Sequence, residues 1–488
     1  MNDKQSTSSN ALLMGGCLVA LLWTGCNTPP PAPLPPERPN VAPQSPRAAE
    51  IRLPLDASLI RPMVQELLSI DLSTAIRIAQ ADNLDILQSQ RQTDIARAQL
   101  RGARAAVLRR LVHSLLFRDV EGTVQGTRGN LVEVGFSTFE PTLALQWIIN
   151  PGKVYYDILA AKKQLLGSEH REQAVLVETL RQTALQYYEL ALAQAESAAA
   201  HQAVLEAEEL VRINQLRQQV GTGIAADLSL AQAHLAERQQ NQARALNAFY
   251  HRSIELSLTL RLDASVTLVP AAEHLMPIDL VREEFDFDAL MAMAIRFRPD
   301  LEQVRVLVEE IAARTDASRW GELGPFFGLA YQIGAIGADE GEGLSSLEGQ
   351  QRFSAGVGAD WSFAAFANLE AAQAFEQQVI LEADRKLDEV KAEVASALAD
   401  ATLYRALLSQ SKARLSAAEE AARLVQSSFS TGTVTLLDVL QAQEALSRAR
   451  LEHAEIVVHY NTTQVELLAA LGMIDGDRLA LTSVISDQ

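Results

Sequence analysis

The residue types that most often carry enzyme chemistry are scarce and dispersed in this sequence. The 488 residues include two cysteines, Cys17 and Cys26, and eight histidines. Both cysteines lie in the first segment, so the rest of the chain has no cysteine nucleophile and no cysteine-ligated metal site. The closest histidines, His453 and His459, are six residues apart and fall on different faces of a helix. With no HExxH, GxSxG, GxGxxG or Walker motif present, the sequence predicts neither an enzyme nor a cofactor or metal.

Cys26 is the residue whose surroundings predict a chemical modification. Residues 11–23 are apolar but too short for a comfortable membrane span, and Trp23-Thr24-Gly25-Cys26 is followed by a polar, proline-rich stretch. Small residues before a cysteine resemble the bacterial lipobox, in which the cysteine is diacylated and becomes the mature N-terminus. We therefore predict a lipoprotein signal peptide over residues 1–25 and a lipid anchor at Cys26. Cleavage of an ordinary signal peptide nearby is the alternative.

The segment after Cys26 is rich in proline, with nine of the 17 prolines between Pro29 and Pro46. Because such a segment cannot form a helix or a central strand, residues 26–66 are expected to be an extended tether between the lipid and a folded body. The formal net charge of −19 argues against nucleic acid as a partner, since phosphates repel an acidic surface.

The body of the chain contains an internal repeat. The pattern around Asp71 and Asn83 recurs 215 residues later, at Asp286 and Arg298, and the pattern around Gly221 recurs 211 residues later, at Gly432. Two matched blocks in the same order indicate a tandem duplication. We place the first repeat over residues 67–280, the second over 281–475 and a tail over 476–488.

Each repeat is expected to contain a very long helical hairpin. No proline lies between Pro151 and Pro270 or after Pro325. From Leu387 to Phe429 the seam positions step alternately by three and four residues, as in a coiled coil, with only Ser411 off the pattern. A helix from about 152 to 219 would be on the order of 100 Å long. A periplasmic coiled-coil scaffold lipoprotein without a pore would also account for these helices.

Two pairs of β-segments, near residues 119–149 and 326–363, accompany the helices. A first helical stretch, over about 70–116, is expected to precede the first pair. In the β-segments large apolar residues alternate with small or polar ones, as in membrane-spanning strands with apolar side chains toward lipid. Trp147 and Trp361, where strand gives way to helix, are predicted membrane-interface aromatics. A soluble hairpin packed on helices is the alternative.

The number of strands predicts an oligomer. Four strands cannot close a barrel, and open strand edges are not tolerated in lipid. The expected fold is mainly α with a small β-barrel contribution, and three copies would close into a 12-stranded barrel and an α-helical tunnel.

The signal region, duplicated strand pairs and long hairpins resemble the TolC-like outer-membrane factors of tripartite efflux pumps and type I secretion systems. The most specific stretch runs from Phe429-Ser-Thr-Gly432-Thr433 through Asp438-Val439-Leu440 to Leu471-Gly472. The resemblance implies a passive, homotrimeric duct in the cell outer membrane that extends into the periplasm. It also implies two partners, a periplasmic adaptor (membrane fusion protein) and an inner-membrane pump, and leaves the cargo open.

The resemblance further implies roles for residues at the helix tips. Asp438 matches an acidic position that rings the family's periplasmic aperture, whereas Gln441 replaces the second acidic position. Val434 stands where TolC has an arginine that ties the hairpins together, which leaves Asp227 without that partner. Closure would then rest on coiled-coil packing, or the aperture would be looser. The residues expected to dock the adaptor are Gly221, Thr222, Gly432 and Thr433.

Overall fold

A computed structural model of the chain describes residues 66–107, 110–221, 223–271, 276–281, 286–339, 347–359 and 362–475. Within these residues the elements run in closely matching order in the two halves. The first half contains β1 (Glu66–Ile70), α1 (Leu72–Asp82), α2 (Leu84–Ala105), β2 (Arg110–Gln125), β3 (Leu131–Ile149), α3 (Pro151–Gln219), α4 (Ala225–Thr259) and β4 (Val266–Pro270). The second half contains α5 (Phe287–Phe297), α6 (Pro299–Leu323), β5 (Phe326–Asp339), β6 (Leu347–Gly358), α7 (Phe363–Ser430) and α8 (Leu436–Ala470).

Two helical hairpins, α3–α4 and α7–α8, dominate the described residues. Helices α3 and α7 have 69 and 68 residues, and α4 and α8 have 35 each. These lengths confirm the predicted tandem repeat of long hairpins. None of the helices in the described residues is both long and apolar enough to cross a membrane.

The predicted coiled-coil seam of α7 is buried or half-buried at every position, as its spacing requires. Val390 and Val394 are fully buried, and Phe429 is 3% exposed. Ser411, the position off the pattern, is also buried, and its hydroxyl contacts His453 Nδ1 on α8 at 2.9 Å. A hydrogen bond between helices thus replaces an apolar contact at that level of the seam.

Strands β2, β3, β5 and β6 form one antiparallel sheet in that order. The helix expected up to residue 116 is wrong, because α2 ends at Ala105 and β2 begins at Arg110. In β2, Leu111, Leu115 and Phe117 lie on one sheet face opposite apolar residues of β3. This cross-strand pairing favours a strand over continued helix.

One face of the sheet carries an apolar band, interrupted by His113 on the edge strand β2. Directly paired residues share a face, so the strand register defines the band. It runs from the Ile149–Phe327 pair to the Phe117–Phe139 pair. The opposite face carries mostly small or polar side chains, such as Thr142, whose hydroxyl hydrogen-bonds that of Ser114 at 2.6 Å. The band extends ten residues along β3, or about 33 Å at ~3.3 Å per residue, which a strand tilt of ~45° reduces to roughly the thickness of an outer-membrane apolar band. The band residues are Leu111, Leu115, Phe117, Phe139, Pro141, Leu143, Leu145, Trp147, Ile149, Phe327, Leu329, Tyr331, Ile333, Phe353, Ala355 and Val357.

The short helices connect to the hairpins end to end. Asn83, the N-cap of α2, donates from Nδ2 to the carbonyl of Thr259 at the end of α4. Arg298, the N-cap of α6, donates to the carbonyl of Ala470 at the end of α8. These contacts satisfy carbonyl groups that a helix C-terminus leaves without intrahelical partners. In each repeat, therefore, a helix of the sheet region begins where a hairpin helix ends.

Gly472 shows how tight the second junction is. Its φ is +67°, and a Cβ placed there would lie 2.7 Å from Arg298 Cα. Beside it, Arg298 binds Asp300 through a two-point salt bridge and also pairs with Glu393 of α7. A buried core around the β1–β4 pair packs α1 against α3, α4 and α8.

Candidate functional site

Most of the site residues predicted from the sequence lie at the tips of the two hairpins. The turn after α3 passes through Gly221 and the turn after α7 through Gly432, each with φ +76°. The amides of Gly223 and Thr433 donate to Arg217 and Ser428 carbonyls in the preceding helices. The left-handed conformation at both positions explains why glycine ends both helices.

An apolar cluster joins the two hairpins just above these turns. It contains Leu210 and Val211 of α3, Ala231 of α4, and Phe429, Leu436 and Val439 of the second hairpin. Val434, which replaces the arginine of the resemblance, packs against this cluster as a partly buried side chain. Val434 therefore contributes an apolar contact at the position where the sequence predicted the loss of an arginine link between the hairpins.

Arg217 forms a further link between the hairpins at the tips. Its guanidinium lies over the ring of Phe429, 4.0 Å from the centroid, and donates to the Phe429 carbonyl at the end of α7. A cation on an aromatic face and a charged hydrogen bond to a helix C-terminus are both stabilising. Sequence reasoning missed this residue.

Two ion pairs link the hairpins farther from the turns. Arg238 of α4 pairs with Glu444 of α8, and the Arg238 side chain is only 11% exposed. Arg450 of α8 pairs with Glu206 of α3 at 3.1 Å. Packing and the contacts of Arg217, Arg238 and Arg450 thus connect the hairpins in the half of their length nearer the turns.

Asp438 lies in the first turn of α8, where it forms a capping box with Thr435. The Thr435 amide and hydroxyl donate to its carboxylate at 2.8 and 2.7 Å, and the Asp438 amide donates to the Thr435 hydroxyl. The hydrogen bonds from the Thr435 side chain and backbone hold the pKa of Asp438 below its usual value. The carboxylate is therefore a solvent-exposed negative charge at neutral pH.

The other tip residues of the sequence analysis lie at separate places. Gln441 is exposed and lines a cavity with Arg238 and Glu444. Asp227 lies in the first turn of α4, where a carboxylate is favourable to the helix dipole. Thr433 donates its hydroxyl to the Ser428 carbonyl.

The predicted membrane-interface residue Trp147 lies near the end of β3, four residues before α3 begins. Its indole Nε1 donates to the Val107 carbonyl at 2.9 Å, which ties β3 to the segment after α2. Trp361, Thr222 and Cys26 lie outside the described residues.

The arrangement contains no obvious centre for chemistry. Among the described residues, no group of three or more histidine, cysteine, aspartate or glutamate side chains could hold a metal ion. The features that remain are an amphipathic sheet, long hairpins and a linked set of hairpin tips.

The profile of the outer membrane efflux protein family matches residues 75–260 and 290–473, which together make up more than half of the chain. The chain belongs to the outer membrane efflux protein family. One match falls in each half of the efflux protein. No curated protein sequence matches it.

Solved structures of outer-membrane proteins share its fold. A membrane protein from Pseudomonas aeruginosa matches with a TM-score of 0.72 and 21% identity, over 82% of this chain and 93% of that one. The outer membrane channel CmeC of Campylobacter jejuni matches with a TM-score of 0.70 and 17% identity, over 85% and 89%. The outer membrane protein VceC of Vibrio cholerae matches with a TM-score of 0.69 and 18% identity, over 82% and 96%.

These likenesses confirm the predicted TolC-like fold, with its mainly helical composition and paired strands. The family match identifies the chain as an outer membrane efflux protein, and the likenesses show that its fold is shared with an outer membrane channel.

Proposed function

We propose that three copies of the efflux protein form a passive duct across the outer membrane and the periplasm, as the outer component of a tripartite efflux pump or a type I secretion system. The observation that carries this proposal is the sheet, which joins an apolar band on one face to a small or polar opposite face. Long hairpins extend from the same sheet, so that one chain contributes both a membrane part and a periplasmic part. Energy for export would come from an inner-membrane pump.

The two outer strands support a trimer. Within the described residues, β2 pairs only with β3, and β6 pairs only with β5. Leu111, Leu115 and Phe117 on β2 and Phe353 and Val357 on β6 are each at least 60% exposed. Pairing of β6 with β2 of a neighbouring copy would satisfy both edges, and three copies would supply twelve strands, within the range of membrane barrels.

The mass and shape of the mature protein in detergent test this proposal. Light scattering should give the mass of three protomers, and negative-stain images should show a hollow particle well over ~100 Å long. A soluble monomer, or a solid rod that needs no detergent, would exclude the duct and favour the periplasmic scaffold.

We also propose that the hairpin tips form the gated end of the duct and dock the periplasmic adaptor. The first turn offers an apolar surface, because Val220 and Ile224 are 72% and 67% exposed. Photo-cross-linking from position 224 should capture an adaptor co-expressed with the channel. The same probe at Leu131, near the β2–β3 turn, is the control, and equal capture at both positions would contradict docking at the tips.

The lipid anchor at Cys26 is part of the proposal. The apolar segment and small residues before Cys26, followed by the proline-rich stretch, support diacylation. Cys26→Ser should abolish labelling by a clickable palmitate analogue, and Cys17→Ser should leave it unchanged. Labelling that persists in Cys26→Ser would place the lipid elsewhere.

A further inference from the structure

A histidine accepts a hydrogen bond from the arginine of the Arg238–Glu444 ion pair. Arg238 donates from Nε to His234 Nε2 at 3.3 Å, one helical turn earlier on α4. Its terminal nitrogen donates to the Glu444 carboxylate on α8. The guanidinium therefore joins an imidazole of the first hairpin to a carboxylate of the second.

Water reaches this link from one side. A cavity of about 420 Å³ lies beside it and is lined by His234, Arg238, Gln441, Glu444 and Arg448, among others. The same cavity includes Gln441, a position of the proposed aperture. Protons thus have access to the imidazole without separation of the hairpins.

The charges around His234 come from three helices. On its own helix these are Glu237 and Arg238, and on α8 they are Glu444 and Arg448. On α3, the contact between His201 and Gln242 shows that the two helices run antiparallel side by side, and counting from it puts Glu208 and Glu209 at the level of His234. Glu209 is engaged by Arg212 through two hydrogen bonds, so it is already neutralised.

The neutral imidazole is the form that fits this arrangement. Burial and the neighbouring Arg238 lower the pKa of His234 below its ordinary value of 6.5, and the nearby carboxylates offset this only in part. The burial, unlike the charge of Arg238 on the same helix, is relieved when the hairpins separate, so proton binding favours separation. Linkage is fully present above about pH 6.5 and is lost as the pH falls through the lowered pKa.

We propose that His234 is a proton-controlled brace for the Arg238–Glu444 link, so that acid releases this contact between the two hairpins near their tips. A proton on Nε2 occupies the lone pair that accepts the Arg238 hydrogen bond. It also places a cation beside the guanidinium, which then turns from Glu444 toward the cavity. This regulation rests on the proposed function, because it acts on the gated end of the duct.

Distances between the hairpins test the brace without reference to transport. Spin labels on exposed positions of α4 and α8 report this separation. They are attached in Gln239→Cys/Ala445→Cys, with Cys17 and Cys26 replaced by serine. Labelled protomers are diluted with unlabelled ones, so that each trimer carries one labelled pair. The separated fraction should rise between pH 7.5 and pH 5, by at most about tenfold per pH unit for one proton. His234→Gln, whose amide oxygen still accepts from Arg238, should stay linked at both pH values. Glu444→Gln should be separated at both.

His453→Gln is the matched control. His453 is also part-buried with a lowered pKa, but its partner Ser411 belongs to the same hairpin, so this variant should keep the wild-type response. An unchanged wild-type distance in acid, or an acid response that persists in His234→Gln, would overturn the brace. Bilayer conductance of the same variants separates the two proposals. Distances that respond while conductance stays constant would retain the brace and contradict the gate.

Discussion

At the scale of single residues, Arg217 provides a direct test of how the tips are held. Arg217→Ala removes the contact with the Phe429 ring and the hydrogen bond to its carbonyl, a loss of about 1–3 kcal/mol from the contact between hairpins. We expect a higher resting conductance in planar bilayers. Arg212→Ala is the control, because Arg212 is exposed and its salt bridge is with Glu209 of the same helix. Equal conductance of the two variants would contradict a role of Arg217 in holding the hairpins together.

Asp438 tests the charge at the proposed aperture. Asp438→Asn should reduce the cation preference of the channel, while its amide oxygen can still accept from the Thr435 amide. Thr435→Ala is the reverse case, since it removes the capping hydroxyl, at a cost of about 1 kcal/mol, and keeps the carboxylate. Because the pKa of Asp438 is lowered, the wild-type preference should persist as the pH falls to the ordinary aspartate value of 3.8 and disappear only below it. Unchanged selectivity in Asp438→Asn would exclude this role.

The sequence alone could predict the glycine turns but not the contacts that join the hairpins. Gly221 and Gly432 stand out because only glycine adopts their left-handed conformation without strain. Arg217, His234 and Arg238 carry no such signal, since arginine and histidine on a long helix most often face water. Their roles depend on the rotation of one hairpin against the other, which local spacing does not determine.

At the scale of helices and turns, three glycines differ in what a methyl group would meet. Gly432→Ala has open space but φ +76°, so it should cost about 1 kcal/mol. Gly472→Ala has φ +67° and a backbone contact with Arg298, so it should cost more. Gly102→Ala lies within α2 with open space and should stabilise by roughly 0.5–1 kcal/mol. In thermal unfolding, the melting temperature of Gly102→Ala should lie above that of the wild type, that of Gly432→Ala below it, and that of Gly472→Ala lowest. A melting temperature of Gly432→Ala equal to that of the wild type would contradict the turn argument.

The elements themselves were largely predictable because their patterns are long. The α7 seam extends over six heptads from Leu387 to Phe429, and the alternation in β5 and the end of β3 is regular. The failure is at the junction of α2 and β2. There Arg109, Arg110 and the leucines of β2 suit a helix or a strand equally well, and only pairing with β3 decides between them.

At the scale of the whole molecule, the sheet predicts which substitutions lipid would exclude. Phe353 lies in the middle of the apolar band, paired with Tyr331, and is 65% exposed in the single chain. Phe353→Lys would place a charge in the bilayer, at a cost of about 2–4 kcal/mol near its midplane. We expect a marked loss of trimers extracted from outer membranes. The neighbouring Ser354 lies on the opposite face, so Ser354→Lys should assemble normally and shift the channel toward anions. Equal assembly of both variants would mean that neither face meets lipid, and the sheet would then have to be covered by protein.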